Sequence, residues 1–102
     1  MISKEDKTHI IKLAKKYKVD RILLFGSSID SSRETHDIDL AVEGIEPALF
    51  FEFYGQLFCN LSKPVDLIDL SYKNKFTQIV REEGILLYGK SKRKNRSRIR
   101  KY

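Results

Sequence analysis

Apolar positions along the chain fall into short, regularly spaced groups separated by polar punctuation. Ile10, Leu13, Ala14 and Tyr17 recur at i, i+3, i+4 and i+7, which predicts an amphipathic helix over residues 4–18. Ser3 stands where it can cap that helix, with Glu5 and Asp6 in the favourable first turn. Ile22-Leu23-Leu24-Phe25 is a continuous apolar run ended by Gly26 and predicts a buried strand. From Gly26 to residue 35 the chain is small and polar apart from Ile29; its first residues suit a short helix and the rest a loop. Asp37-Ile38-Asp39-Leu40-Ala41-Val42 begins in strict alternation and predicts a half-buried strand. Pro47 suits a first helical turn, and Phe50, Phe53, Tyr54, Leu57, Phe58 and Leu61 carry a helix on to residue 61. The aromatic members of that stripe, Phe50, Phe53, Tyr54 and Phe58, are expected in the core. A third strand spans residues 65–70, and a helix follows over residues 73–83 with Phe76, Ile79 and Val80 on its apolar face, stopped by Gly84. Ile85-Leu86-Leu87-Tyr88 closes the series. This order predicts a small mixed sheet flanked by helices, in the α/β or α+β class.

Charge divides the chain in two. Residues 1–89 hold 12 Lys and Arg against 14 Asp and Glu, while residues 90–102 hold eight basic residues and no acid. The overall +6 therefore belongs to a basic tail, expected to be flexible, on a slightly acidic domain expected to span residues 1–89. Nucleic-acid binding through that tail is possible on charge but is not the favoured reading, because solvated ends of this composition are common. At 102 residues the chain suits one compact domain. It has no run long enough to span a membrane and no apolar leader, and a single cysteine, Cys59, so a cytoplasmic protein without a membrane partner is expected. Cys59 itself reads as a small apolar residue on the core side. His36 reads as a wet loop residue and His9 as a residue on the rim of the first helix.

The candidate chemistry lies in the acids. Asp37 and Asp39, two apart on a strand, point to one face about 6.5–7 Å from one another. Such a pair alone is an ordinary wet strand face. Two further features give it meaning. Gly26-Ser27-Ser28 follows a buried strand, and glycine there lets a backbone approach a phosphate while hydroxyls and free amides donate to its oxygens. The third strand again sets acids, Asp66 and Asp69, among aliphatics. One of them beside Asp37 and Asp39 makes a three-carboxylate cluster, unfavourable alone but suited to Mg²⁺ and a triphosphate. Three positions separate Asp66 from Asp69, so they face opposite ways, and periodicity does not choose between them.

LLFGSS, an eight-residue spacer, DIDLAV and then VDLIDL together resemble the minimal nucleotidyltransferases of the DNA polymerase β-type superfamily, and the closing REEGILLYG is similar to the end of that family. The resemblance runs from about Ile22 to Gly89. It implies a polymerase β-type fold in which Gly26 and Ser27 hold the triphosphate of ATP and Asp37, Asp39 and Asp66 ligate one or two Mg²⁺ ions as the catalytic set. It departs from the family at Ser28-Ile29-Asp30, where relatives carry small or basic residues, and in a short spacer. Proteins of this size in the family resemble antitoxins paired with helical HEPN-type toxins. The resemblance therefore implies transfer of AMP to a tyrosine of such a partner. Alternatives are transfer to a small molecule such as an antibiotic, an antitoxin that acts by contact alone, or an RNA-binding protein acting through the tail. The breadth of the aromatic stripe, with Phe51 added, implies an apolar surface for another chain, a partner or a second copy.

Overall fold

The computed structural model describes residues 2–26 and 36–90. Helix α1 (Lys4–Lys16) leads into β1 (Arg21–Leu24) and β2 (Ile38–Glu43); a 3₁₀ turn (Pro47–Leu49) opens α2 (Phe50–Asn60), followed by β3 (Val65–Asp69), α3 (Lys75–Glu83) and β4 (Ile85–Gly89). The four strands form one sheet in the order β3-β2-β1-β4. β1 pairs antiparallel with both β2 and β4, while β2 and β3 run parallel, so the sheet is mixed as expected. The parallel pair is what α2 makes possible, since its length carries the chain back across the sheet between β2 and β3.

Local chemistry explains where the elements begin and end. The Ser3 hydroxyl accepts the Asp6 amide at 3.1 Å and caps α1. The helix stops two residues earlier than its apolar spacing predicts, because Lys18 turns left-handed at φ 56°. The Val19 amide then bonds the Ala14 carbonyl at 3.1 Å and the Lys18 amide that of Lys15 at 3.2 Å, the paired closure of a Schellman end. At α3, Asn74 and Thr77 exchange side-chain and backbone bonds in a reciprocal capping box, which sets the start at Lys75, after the residue 73 predicted.

Helices α1 and α2 cover one face of the sheet. Ile10, Leu13, Ala14, Tyr17, Phe53 and Leu57 meet Ile22, Leu24, Ile38, Leu40, Val42, Val65 and Leu67 there. The buried carboxylate of Asp6 ties α1 to the turn before β3, accepting from the Ser62 amide at 3.0 Å and the Ser62 hydroxyl at 2.6 Å. Helix α3 covers part of the other face through Val80, above Leu23, Ala41 and Leu70.

Three burial expectations are corrected. Phe58 is 56% exposed, because Phe53, Leu57 and Leu61 already fill the stripe that meets the sheet. Cys59, one step further round α2, is exposed where a core-side residue was expected. On α3 it is Thr77 and Val80 that are buried, and Phe76 and Ile79 stand half out in solvent. Among the described residues no helix is long and apolar enough to cross a membrane.

Candidate active site

The site is built at one end of the sheet, where β1 finishes and β2 and β3 begin, on the face that carries α3. β1 is buried along its whole length, which makes its exit a rigid edge. At that exit the Phe25 amide donates to the Asp39 carbonyl at 3.0 Å, extending the β1–β2 pairing by one step. Gly26 comes next with φ +66°, a conformation that L side chains rarely adopt. A Cβ on Gly26 would lie 2.5 Å from Asp39 Oδ2. The glycine is thus required twice, by its backbone angle and by the carboxylate leaning against it.

Parallel pairing supplies the second acid. Asp39 is in register with Asp66, and Leu40 with Leu67. Residues in register on neighbouring strands project to the same face about 4.8 Å apart, so these carboxylates stand side by side. Asp37, one residue before β2, acts on the same spot: its charge is felt by Asp39. The Asp39 carboxyl is pushed above its usual range, first by partial burial, then by the charges of Asp66 and Asp37. Asp37 and Asp66 are exposed and Asp39 is half-buried. Among the described residues no three His, Cys, Asp or Glu side chains converge into a ready metal cage. Acidic oxygens on one face, beside a backbone kept bare at Gly26, suit a hard divalent cation and an anionic triphosphate.

Asp69 is on the opposite face. It is in register with Val42 and accepts the Ser71 amide at 2.9 Å. Its neighbours Pro47, Phe50, Phe51 and Tyr72 line a cavity of about 300 Å³ on the α2 side. Ser27, expected with Gly26 at the phosphates, and the short helix expected after Gly26 lie outside the described residues. His36 is exposed beside Asp37, and His9 is half-buried on α1.

A family model, Polymerase beta, Nucleotidyltransferase, matches residues 8–93, which include Gly26 and all three aspartates. The chain belongs to the polymerase β nucleotidyltransferase family. Solved structures agree with that placement. The chain is similar to a toxin–antitoxin crystallised with AMP-PNP, at 28% identity and a TM-score of 0.71, over 91% of this chain and 81% of that one. It is similar also to the toxin–antitoxin MntA-HepT, at 27% identity and a TM-score of 0.68, over 95% and 81%. A third similar structure is a tri-AMPylated Shewanella oneidensis HEPN toxin in complex with MNT antitoxin, at 29% identity and a TM-score of 0.67, over 88% and 75%. No curated protein sequence matches the chain. As a nucleotidyltransferase of this family the chain is an enzyme of the transferase class, with a four-stranded mixed sheet and three α-helices among the described residues.

Sequence spacing did not point to the clamp at the far end of the same sheet face. Glu43 accepts from Arg21 Nε at 2.6 Å and from Arg81 of α3 at 3.0 Å, while Arg81 also donates to the Leu70 carbonyl at 2.6 Å. Burial raises the Glu43 pKa, but the bonds from Arg81 and Arg21 and their charges outweigh it and bring it down to about 2. One carboxylate thereby joins β1, β2 and α3 below the site. The alternation Asp39, Ala41, Glu43 was the available signal, since it puts Glu43 on the buried side of α3 where a charge needs partners.

Proposed function

We propose that this nucleotidyltransferase transfers AMP from ATP to a tyrosine of a helical HEPN-type partner and so acts as the antitoxin of a pair. The observation that carries the chemistry is the register of Asp39 with Asp66, with Asp37 adjacent and Gly26 bare against Asp39. In this reading Asp37, Asp39 and Asp66 hold Mg²⁺, and Gly26 and Ser27 hold the triphosphate tail. Bound Mg²⁺ neutralises triphosphate charge and favours displacement at the α-phosphorus. The protein's part is positional: two parallel strands fix Asp39 and Asp66 at one level, and the β1 exit brings backbone within reach of phosphate oxygens. The tyrosine oxygen bonds the α-phosphorus as it loses its proton, the bond to the bridging oxygen breaks, and pyrophosphate leaves in line. The partner and nucleotide are supported by the similar structures, one holding AMP-PNP and another a tri-AMPylated HEPN toxin beside its MNT antitoxin.

The test is transfer of labelled AMP from ATP to a purified HEPN-type partner by the wild type and by Asp66→Asn and Asp69→Asn. Asp66→Asn, like Asp37→Asn and Asp39→Asn, is expected to abolish Mg²⁺-dependent transfer while remaining folded. Asp69→Asn, altered on the other face, is expected to keep most activity. An active Asp66→Asn beside a folded but dead Asp69→Asn would refute the assignment.

A further inference from the structure

An exposed phenylalanine by itself needs no explanation. Phe76 is different because of where it stands. It is the second residue of α3, 52% exposed, and its ring meets that of Phe25 edge-on with centroids 5.8 Å apart. Phe25 is not a remote core residue: its amide bonds the Asp39 carbonyl, which makes it the cross-strand neighbour of Asp39 on the same sheet face, and it directly precedes Gly26. Ile79, one turn further along α3 and 50% exposed, extends the apolar surface. Acids and aromatic wall therefore share one face and one end of the sheet.

We infer that the Phe25–Phe76 pair is the wall on which the base of the bound nucleotide stacks. This rests on the nucleotide reading above and adds the residues that receive the base. The base is tethered through the ribose to the α-phosphate that the carboxylates address, so it must lie within one nucleoside's length of Asp39. Among the described residues, the aromatic pair and Ile79 present exposed apolar surface on that face, with Phe25 directly across from Asp39. The acceptor has another approach: in-line displacement brings it in opposite the leaving pyrophosphate, whereas Phe25 adjoins Gly26 on the triphosphate side. A T-shaped pair with one ring half in solvent leaves an aromatic surface open for an offset-stacked third ring, the arrangement that aromatic quadrupoles favour. Phenylalanine offers no hydrogen bond, so the wall holds the base by its π-face and leaves base identity to other groups.

The test compares binding of AMP-PNP with Mg²⁺ and of inorganic tripolyphosphate with Mg²⁺, without any acceptor, to the full chain and to Phe76→Ala and Phe76→Tyr. Phe76→Ala is expected to raise the Kd for AMP-PNP about tenfold or more. It should leave tripolyphosphate binding unchanged, and Phe76→Tyr should stay within about twofold of wild type because the ring remains. The adenine H2 and H8 resonances should move upfield on binding wild type and lose that shift with Phe76→Ala. An unchanged Kd for AMP-PNP in Phe76→Ala, with transfer to the partner reduced, would overturn the inference and assign the wall to the acceptor. Equal weakening of AMP-PNP and tripolyphosphate would overturn it in favour of a general distortion of the site. No AMP-PNP binding by the wild type would remove the nucleotide reading itself and this inference with it.

Discussion

Gly26→Ala tests the junction of fold and site most directly, because one methyl group meets two separate constraints. The first is the backbone: at φ +66° an alanine costs about 1–2 kcal/mol relative to its ordinary conformations. The stiffer unfolded chain does not compensate where the native φ is positive. The second is the carboxylate: the new Cβ would fall 2.5 Å from Asp39 Oδ2, well inside contact. Asp39 is half-buried and flexible at its tip, so it yields by rotating away, which adds little to the folding cost but takes the oxygen out of line with Asp66. A loss of about 1–2 kcal/mol corresponds to a fall in Tm of roughly 5–15 °C in a domain of this size. A displacement of about 1 Å in positioned groups lowers a reaction rate on the order of a hundredfold. Thermal unfolding followed by circular dichroism gives the first quantity, and AMP transfer measured well below the Tm gives the second. Gly55→Ala is the control. Gly55 lies inside α2 with nothing within 4 Å of the added Cβ, so alanine there should raise stability by about 0.5–1 kcal/mol and leave transfer unchanged. A Gly26→Ala protein with wild-type Tm and wild-type transfer would refute both constraints. Loss of stability with full activity would detach Asp39 from the metal role.

The Glu43 clamp gives the fold an acid-sensitive component. Its folded pKa is about 2 against an ordinary 4.5, so its stabilisation is complete above about pH 4.5 and is lost as pH falls toward 2. That gap corresponds to about 3 kcal/mol, which solvent screening of the partly open pair brings to about 1–2; urea melts between pH 2 and 7 should show the fall, and a Glu43→Gln protein with the same slope would exclude Glu43 as its source. Truncation after Gly89, where β4 ends, should preserve the fold and Mg²⁺-dependent ATP binding, with any loss confined to salt-sensitive association with a partner or nucleic acid. A truncated chain that unfolds or loses ATP would make the basic tail part of the domain. Phe51, 81% exposed on α2, should belong to a protein-binding surface: Phe51→Ser is expected to weaken association with a HEPN-type partner or a second copy in sedimentation, leaving folding stability within about 0.5 kcal/mol of wild type, and unchanged association would count against that surface.

Much of this protein was determined by sequence alone, because the relevant information is local. Side-chain spacing of 3.6 or 2 residues decides helix or strand over a few turns, and among the described residues each helix and strand predicted from spacing is present within a few residues of its expected bounds. The glycine that ends the first strand and the D-x-D strand were also legible, since both are short contiguous signals. Burial on α2 and α3 was not. Phe58, Cys59, Phe76 and Ile79 have apolar side chains at helical spacing, yet only the width of the sheet beneath each helix decides how many residues it can cover. The choice between Asp66 and Asp69 is a sharper case. Along VDLIDL each acid travels with aliphatic residues, so alternation is blind to which face meets the core. Only the pairing of Ile38 with Val65 turns Asp66 toward Asp39 and sends Asp69 to the α2 side. That register joins residues 27 positions apart through a helical crossover, and no local pattern encodes it. Glu43 is the same kind of fact: its partners Arg21 and Arg81 come from β1 and α3, and three elements must pack before the carboxylate has any reason to be buried.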